Sequence, residues 1–143
     1  MGTTYCTNSL MASEYNALRK SVGWTVPTQI SAYFALKNSL FVCSAHRGEM
    51  VVGAGRVVGD GHLAFTIMDI MVHPDFQHRY GIGAKIMLKL LSHIKDHSTP
   101  ESDVYAMSVP DQELFYRRLG FVSRPTPSLG PGMSLPYEQL QKY

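Results

Sequence analysis

The residues of this sequence that could do chemistry are concentrated between His62 and Met87, in HLAFTIMDIMVHPDFQHRYGIGAKIM. A run of strand-forming residues ends at Pro74. A helix with periodically spaced apolar residues is predicted from Gly81, and Gly83 lies in its first turn. The unpaired N–H groups and the positive dipole end of such a helix bind anions, and His78 and Arg79 place potential positive charge beside them. Two interpretations stay open: the glycines leave room for a phosphate group, or they only let the helix approach the sheet closely.

Two nucleotide-binding motifs are excluded by their spacing. The loop of nucleoside triphosphatases has Gly, Lys and Ser or Thr in direct succession, whereas Gly83 is followed by Ala84 and Lys85. The glycines of GAGRVVG miss the G-x-G-x-x-G pattern of dinucleotide sites, and no helix is predicted after them. We interpret them as strand glycines followed by a hairpin turn at residues 59–61.

Asp69 is the only carboxylate in the predicted strand FTIMDIMV. An acid among apolar neighbours costs free energy unless it faces a polar cleft or has a partner. Asp69 is therefore the first candidate for a general base, and the alternative is a hydrogen-bonded aspartate that braces the loop or pairs with Arg56. His73 is a second candidate base, although its position before Pro74 favours a structural or solvent-facing role.

Composition places limits on the class of protein. The chain has 143 residues, 45% of them hydrophobic, and a formal charge of +2. This predicts one domain over residues 1–143, without the basic stripe of a nucleic-acid-binding protein. No run is long and apolar enough for a membrane span, and we expect a cytoplasmic protein. Cys6 and Cys43 predict reduced thiols rather than a disulfide framework, with a single bridge as the alternative, and we predict no metal site.

The elements that must position the candidate residues follow from apolar periodicity and turn residues. Two helices are predicted first, over Ser13–Val22 and from Pro27 to about Lys37. Residues 40–72, rich in Val, Ile, Phe and Thr, predict three strands of an antiparallel meander. A helix from Gly81 to about Asp96 and a short strand over Val104–Val109 follow.

The C-terminal part has a second set of expected elements. Residues Asp111–Leu119, DQELFYRRL, predict a helix that Asp111 caps. Phe121 and Val122 are then expected to re-enter the sheet. The segment RPTPSLGPGMSLP is rich in Pro and Gly and predicts a long loop with one edge strand near Met133.

The order of these elements, together with MDIMVHPDFQHRYGIGAKIM and ELFYRRLGF, resembles the GNAT family of acyl-CoA-dependent N-acetyltransferases. The resemblance extends from the first helix to GFVSR. It implies an α/β (α+β) fold with a central mixed, mostly antiparallel sheet that is splayed at the fourth strand and flanked by about four helices. It also implies acetyl-CoA as the cosubstrate.

The resemblance assigns the coenzyme contacts residue by residue. The family signature Q/R-x-x-G-x-G/A, whose N–H groups hold the pyrophosphate, matches QHRYGIGA, with either Gln77 or His78 at the first position. The strand before this loop pairs with the pantetheine amides at a bulge. The implied coenzyme-binding residues are Ile70, Met71, Val72, Gln77, His78, Arg79, Tyr80, Gly81, Ile82, Gly83 and Ala84.

Tyr116 in LFYRRLGF matches the tyrosine that the family places near the coenzyme sulfur as general acid. A phenol with a pKa of about 10 carries its proton at neutral pH and can donate it to a departing thiolate. The alternative is a core aromatic on an amphipathic helix. Seven residues earlier, where the family often has Asn, this chain has Val109.

The acceptor groove of similar proteins lies between the first two helices and the late loop. This implies acceptor contacts from Trp24 and Tyr33, whereas a core position is expected for Phe34. We expect transfer of an acetyl group to a primary amine of a small molecule by direct attack, with Tyr116 and Asp69 as catalytic candidates. A peptide or protein N-acetyltransferase and a catalytically silent acyl-CoA sensor are the alternatives, and a homodimer stays open.

Overall fold

The computed structural model describes residues 2–143 and divides the chain into two compact units. The first unit ends at Met107, and the second is Ser108–Tyr143. The first unit contains a five-stranded sheet in sequential order. Its strands are β1 (Thr4–Thr7), β2 (Phe41–Arg47), β3 (Met50–Gly59), β4 (Ala64–Val72) and β5 (Asp103–Ala106).

The sheet is mixed and mostly antiparallel, which confirms the predicted α/β class. Strands β1 to β4 pair antiparallel with their neighbours, and β5 pairs parallel to β4. The predicted meander corresponds to β2, β3 and β4, and the hairpin turn at residues 59–61 joins the last two. The strand β1 was not predicted.

Three helices belong to the first unit. They are α1 (Ala12–Ser21), α2 (Gln29–Lys37) and α3 (Ile82–His97), each within two residues of its predicted bounds. Pro27 lies just before α2 instead of in its first turn, because Thr28 caps the helix by accepting a hydrogen bond from the N–H of Ser31. No helix in residues 2–143 is long and apolar enough to cross a membrane.

Two faces of the sheet bury different helices. On one face, Gly53 and Gly55 of β3 leave room for Ile82, Ile86 and Leu90 of α3. Side chains alternate between faces along a strand, so Ala54 points the other way. It lies in a buried cluster with Tyr15 and Leu18 of α1, Ala32 of α2 and Met71 of β4.

The second unit departs from the predicted C-terminal elements. It contains the short helices α4 (Glu113–Arg117) and α5 (Tyr137–Leu140). The predicted cap by Asp111 is wrong: Asp111 has a left-handed backbone (φ 68°), and Gln112 precedes the helix without a side-chain cap bond. The predicted strands at Phe121, Val122 and Met133 are also wrong, because these residues lie in irregular backbone and Met133 is 87% exposed.

Candidate active site

The corner between β4 and α3 presents unpaired backbone donors. A short 3₁₀ turn (Pro74–Phe76) follows β4, and Gly81, with φ 62°, precedes the first helical residue, Ile82. The first hydrogen bond of the helix runs from the N–H of Lys85 to the carbonyl of Gly81 at 3.0 Å. The N–H groups of residues 82–84 therefore have no partner within the helix, and they lie at its positive end.

The surroundings of the glycines distinguish the two interpretations of this corner. A Cβ added to Gly81 would have no atom within 4 Å, and one added to Gly83 would make an ordinary contact of 3.6 Å with Val72. By contrast, a Cβ on Gly53 would lie 2.9 Å from Ile82 of α3, and a Cβ on Gly55 would lie 3.0 Å from Ile86 of the same helix. Close helix-to-sheet contact thus explains the glycines of β3. It does not explain those of the corner, where the space is open.

The loop before Gly81 is partly fixed by its own hydrogen bonds. The Gln77 amide donates to the carbonyl of Val72 at 2.8 Å, so this side chain ties the loop to the strand end. His78 has a left-handed backbone (φ 61°), and both His78 and Arg79 are exposed at the corner. This arrangement favours His78 over Gln77 as the polar side chain available to an anion.

A bulge interrupts β4 at Asp69 and Ile70. The register pairs Ala54 with Met71 and Arg56 with Met68, so these two residues lie opposite the single residue Gly55. Asp69 takes a left-handed backbone with φ 59°. Such an extra residue bends the strand and shifts the alternation of its faces.

Strand β4 is paired with β5 only along its first half. The pairs run from Ala64 with Asp103 to Ile67 with Ala106. Within residues 2–143 the later part, Met68–Val72, has no strand partner on that side. Ile70, Met71 and Val72 therefore carry backbone groups at an open edge, as the expected pairing with pantetheine requires.

Asp69 is held by three donors. Its carboxylate accepts hydrogen bonds from the Tyr15 hydroxyl at 2.5 Å and from Nε of Arg56 at 2.7 Å, and it lies 3.4 Å from Nη1 of Arg19. Its side chain is only 10% exposed. Burial and the hydrogen bond to Asp69 raise the pKa of Tyr15. This geometry favours the bracing alternative that pairs Asp69 with Arg56.

Arg19 and Tyr15 were missed as partners of Asp69 by sequence reasoning. They lie four residues apart on α1 and therefore on one helical face, which was a detectable signal. The Arg19 guanidinium also lies 5.6 Å from the Trp24 ring, and it donates through Nε to the carbonyl of Thr25. Arg19 thus connects Trp24 with the Asp69 cluster.

His73 has a structural role at the end of β4. Its Nδ1 accepts the N–H of Asp75 at 3.2 Å, and its own N–H donates to the carbonyl of Val52 at 2.8 Å. Both bonds fix the start of the 3₁₀ turn. The geometry therefore favours the structural interpretation of His73 over a catalytic base.

Tyr33 and Phe34 line a surface cavity instead of the Asp69 cluster. The cavity has a volume of about 980 Å³ and is formed by α2, the start of α1 and residues 39–42. The two rings meet edge to face at 5.4 Å, and both are about half exposed. The core position expected for Phe34 is wrong, because Phe34 is about half exposed, whereas Ala32 and Leu36 are the α2 residues at the buried cluster.

Tyr116 belongs to the second unit, on α4. Its ring meets those of Phe115 and Phe121 edge to face at 5.3 and 5.6 Å. Burial raises the pKa of the Tyr116 hydroxyl, so it keeps its proton well beyond neutral pH. Such a phenol can act as a proton donor and is a poor base.

No group of three or more His, Cys, Asp or Glu side chains among residues 2–143 could hold a metal ion. His93 and His97 lie one turn apart on α3, and their rings stack with centroids 4.2 Å apart. Cys6 and Cys43 are both free thiols.

Comparison with known proteins places these features in one family. The model of the acetyltransferase (GNAT) domain matches residues 37–123. The uncharacterized N-acetyltransferase ycf52 of Porphyra purpurea is 31% identical over 123 residues, covering 83% of this chain and 69% of that protein. The histone acetyltransferase TAP1 of Glycine max is 28% identical, covering 78% of this chain but only 52% of its own length.

Solved structures share the fold. A protein of unknown function from meticillin-resistant Staphylococcus aureus, described as a probable acetyltransferase, is 29% identical with a TM-score of 0.85, over 95% of this chain and 100% of that one. A GNAT family acetyltransferase from Streptococcus pneumoniae is 27% identical with a TM-score of 0.78, over 95% and 99%. The chain belongs to the GNAT family of acetyltransferases.

Proposed function

We propose that this protein transfers the acetyl group of acetyl-CoA to a primary amine of a small molecule by direct attack. The observation that carries the proposal is the open space in front of the α3 N-terminus, where a Cβ on Gly81 or Gly83 would meet little or nothing. A diphosphate is the anion that this corner suits, because several N–H groups converge there without side chains in the way.

The proposed chemistry divides between the open edge and the proton donor. The amine must lose its proton before it attacks the thioester carbonyl, and an N–H at the open part of β4 stabilises the oxyanion that forms. Collapse breaks the carbon–sulfur bond, and the Tyr116 hydroxyl gives its proton to the departing thiolate. The attacking nitrogen loses its extra proton to solvent, and solvent returns a proton to the Tyr116 phenolate. The products are the acetylated amine and free coenzyme A.

A small acceptor is supported by the charges around Asp69. Two guanidinium groups surround one carboxylate there, so the cluster carries a net positive charge. A polycationic tail would be repelled by such a cluster. Trp24 beside Arg19, and the exposed Tyr33, support an amine with an apolar or aromatic body.

A peptide or protein acceptor is the second candidate. It is favoured by the 28% identity to a protein named as a histone acetyltransferase. A silent acyl-CoA sensor would keep the corner but have no turnover. We further propose a cytoplasmic location, since both cysteines are free thiols. We also propose that the protein has no nucleic-acid or membrane partner, since its formal charge of +2 is small.

The test begins with coenzyme binding, measured by calorimetry on the wild type and Gly83→Glu. A glutamate in the first turn of α3 interacts favourably with the positive end of the helix dipole, so we expect the variant to fold. Its carboxylate occupies the same corner as the diphosphate and competes with it. We expect affinity for coenzyme A to fall roughly tenfold or more. Gly2→Glu adds the same charge where an added Cβ meets nothing, and it is the matched control.

The second step measures thiol release from acetyl-CoA with a panel of small amines and a panel of peptides. Turnover with a small amine supports the proposal, and turnover with peptides alone supports the second candidate. Coenzyme binding without turnover in either panel identifies a sensor. Equal affinity of Gly83→Glu and wild type removes the anion site.

A further inference from the structure

The β2–β3 hairpin lies at the same end of the sheet as the loop that leads into α3. Gly53, near the start of β3, pairs with Val72, the last residue of β4. The N–H of His73 continues this contact by donating to the carbonyl of Val52 at 2.8 Å. Arg47, the last residue of β2, is thereby brought to the loop although 33 positions separate it from Tyr80 in the sequence.

Arg47 stacks on the loop. Its guanidinium carbon lies 3.9 Å from the centre of the Tyr80 ring, whereas the other cation–ring pairs in residues 2–143 are 5.5 to 5.8 Å apart. Arg47 also donates through Nη1 to the Thr3 hydroxyl at 3.0 Å. A planar guanidinium held in this way covers an aromatic face better than an ammonium can.

The stack acts on the part of the loop that directly precedes Gly81. Up to Gln77 the loop is fixed by the bonds of His73, Phe76 and Gln77 to neighbouring backbone. Arg79 and Tyr80 then lie between two residues with left-handed backbone, His78 and Gly81. Tyr80 directly precedes Gly81, so holding its ring restricts the peptide that begins the anion corner.

We propose that Arg47 is a positioning residue for coenzyme binding, because its stack on Tyr80 holds the loop that aims the first N–H groups of α3 at the diphosphate. The inference rests on the proposed function. If the loop samples other conformations, the apparent affinity for coenzyme A falls in proportion to the fraction of molecules whose loop is in the binding conformation. Loss of a stack worth about 0.5–2 kcal/mol then weakens coenzyme binding by roughly two- to thirtyfold.

The test is a double-mutant cycle on the calorimetric affinity for coenzyme A, measured well below the unfolding temperature of each variant. Arg47→Met and Tyr80→Leu are expected to weaken binding to a similar extent, and the double variant no further. Tyr80→Phe keeps the ring and the backbone N–H groups of the loop, and it is expected to weaken binding less than Tyr80→Leu. Lys37→Met removes an equal charge from a more distant ring pair, with Tyr33 at 5.8 Å, and is the matched control.

Four results would overturn the inference, and the first three do so for a wild type that binds coenzyme A. Wild-type affinity in Arg47→Met shows that the stack is not needed, and equal losses in Tyr80→Phe and Tyr80→Leu show that the ring is not what matters. Additive losses in the double variant show that the two residues act separately. If wild type itself does not bind coenzyme A, both this inference and the proposed function fail. Binding by wild type with unaffected variants removes the inference alone.

Discussion

Asp69 shows how the partners of a residue change the role that its type suggests. In the sequence it is a lone acid among apolar residues, which is the pattern of a catalytic base. In the structure its carboxylate is engaged by Tyr15, Arg19 and Arg56, from one helix and one neighbouring strand. A base must have a lone pair directed at the substrate, and three donors leave little room for that.

For Asp69→Asn we expect a loss of stability. The change leaves two largely buried guanidinium groups without their counter-charge, which costs about 3 kcal/mol of unfolding free energy. Tyr15→Phe is the control, since it removes one hydrogen bond and about 1 kcal/mol. Thermal unfolding and the pH–rate profile are measured together. A stable variant that regains turnover only above about pH 10, where an alkyl amine loses its proton unaided, would instead identify Asp69 as the base.

Tyr116 is the residue that separates an enzyme from a sensor. Tyr116→Phe keeps the ring contacts with Phe115 and Phe121 and removes only the proton donor. We expect coenzyme affinity to persist while turnover with the best amine falls by about 10²- to 10⁴-fold. Tyr143→Phe, at a fully exposed position, is the control. Wild-type turnover in Tyr116→Phe would exclude the general-acid role.

At the scale of elements, the β3–β4 hairpin sets the position of the bulge and hence of Asp69. Gly59 closes it with φ 145°, and an added Cβ would lie 2.1 Å from the carbonyl oxygen of Ala64. Asp60 then accepts hydrogen bonds from the N–H groups of residues 62–64 at 2.8 to 3.0 Å, and these bonds lower its pKa. The turn thus fixes the register along β4.

We expect Gly59→Ala to destabilise the protein by about 3 kcal/mol, because the clash is with backbone and the backbone angle is unfavourable for a residue with a Cβ. Gly83→Ala is the opposite case. Its Cβ has space at a helical position, so its unfolding free energy should stay the same or rise by up to about 1 kcal/mol. Urea unfolding of both variants measures the contrast. Equal stabilities would show that the hairpin register tolerates a shift.

The elements that sequence predicted are those with long periodic or β-rich patterns. The helices α1 and α3 and the strands β2, β3 and β4 each bury a repeated apolar pattern. The short strand β1 has no such pattern in its four residues. It forms because it pairs with β2, which is distant in the sequence, and it could therefore not be predicted from local residues. In the C-terminal part, the residue types around Asp111 predicted a helix cap there. Asp111 instead has a left-handed backbone, and α4 begins two residues later, at Glu113.

The candidate site was predictable only where its chemistry is local. The glycine corner could be located because loop, cap and helix are contiguous in the sequence. The partners of Asp69 could not, because the contacts with Arg19 and Arg56 depend on how α1 and β3 meet β4. The contact between Arg47 and Tyr80 likewise depends on the sheet register.

At the scale of the whole molecule, the question is whether coenzyme binding is coupled to the folding of the sheet. The family match at residues 37–123 includes parts of both compact units, and a single domain over residues 1–143 stays a prediction. Cys43 offers a probe of this coupling. It is fully buried in β2, and burial raises its pKa to about 11.

In a Cys6→Ser variant, Cys43 is the only thiol, and we expect it to resist iodoacetamide at pH 8 until the sheet opens. The thiolate is the reactive form, and both burial and the raised pKa suppress it. Because the folded pKa exceeds the unfolded value of 9.0, this thiol favours the folded state below about pH 9, and that contribution is lost as the pH rises toward 11.

Acetyl-CoA should slow the labelling of Cys43. Its sulfur is acetylated, so it does not consume iodoacetamide as the thiol of free coenzyme A would. A ligand that binds only the folded state at 100 times its Kd lowers the open population about 100-fold, provided that reclosing is faster than alkylation. Fast labelling at pH 8 without denaturant would contradict the burial of Cys43. Undiminished labelling at saturating acetyl-CoA would mean that β2 opens while the corner stays bound. The corner and the sheet would then unfold as separate cooperative units, since only an opening that destroys the binding site is suppressed by the ligand.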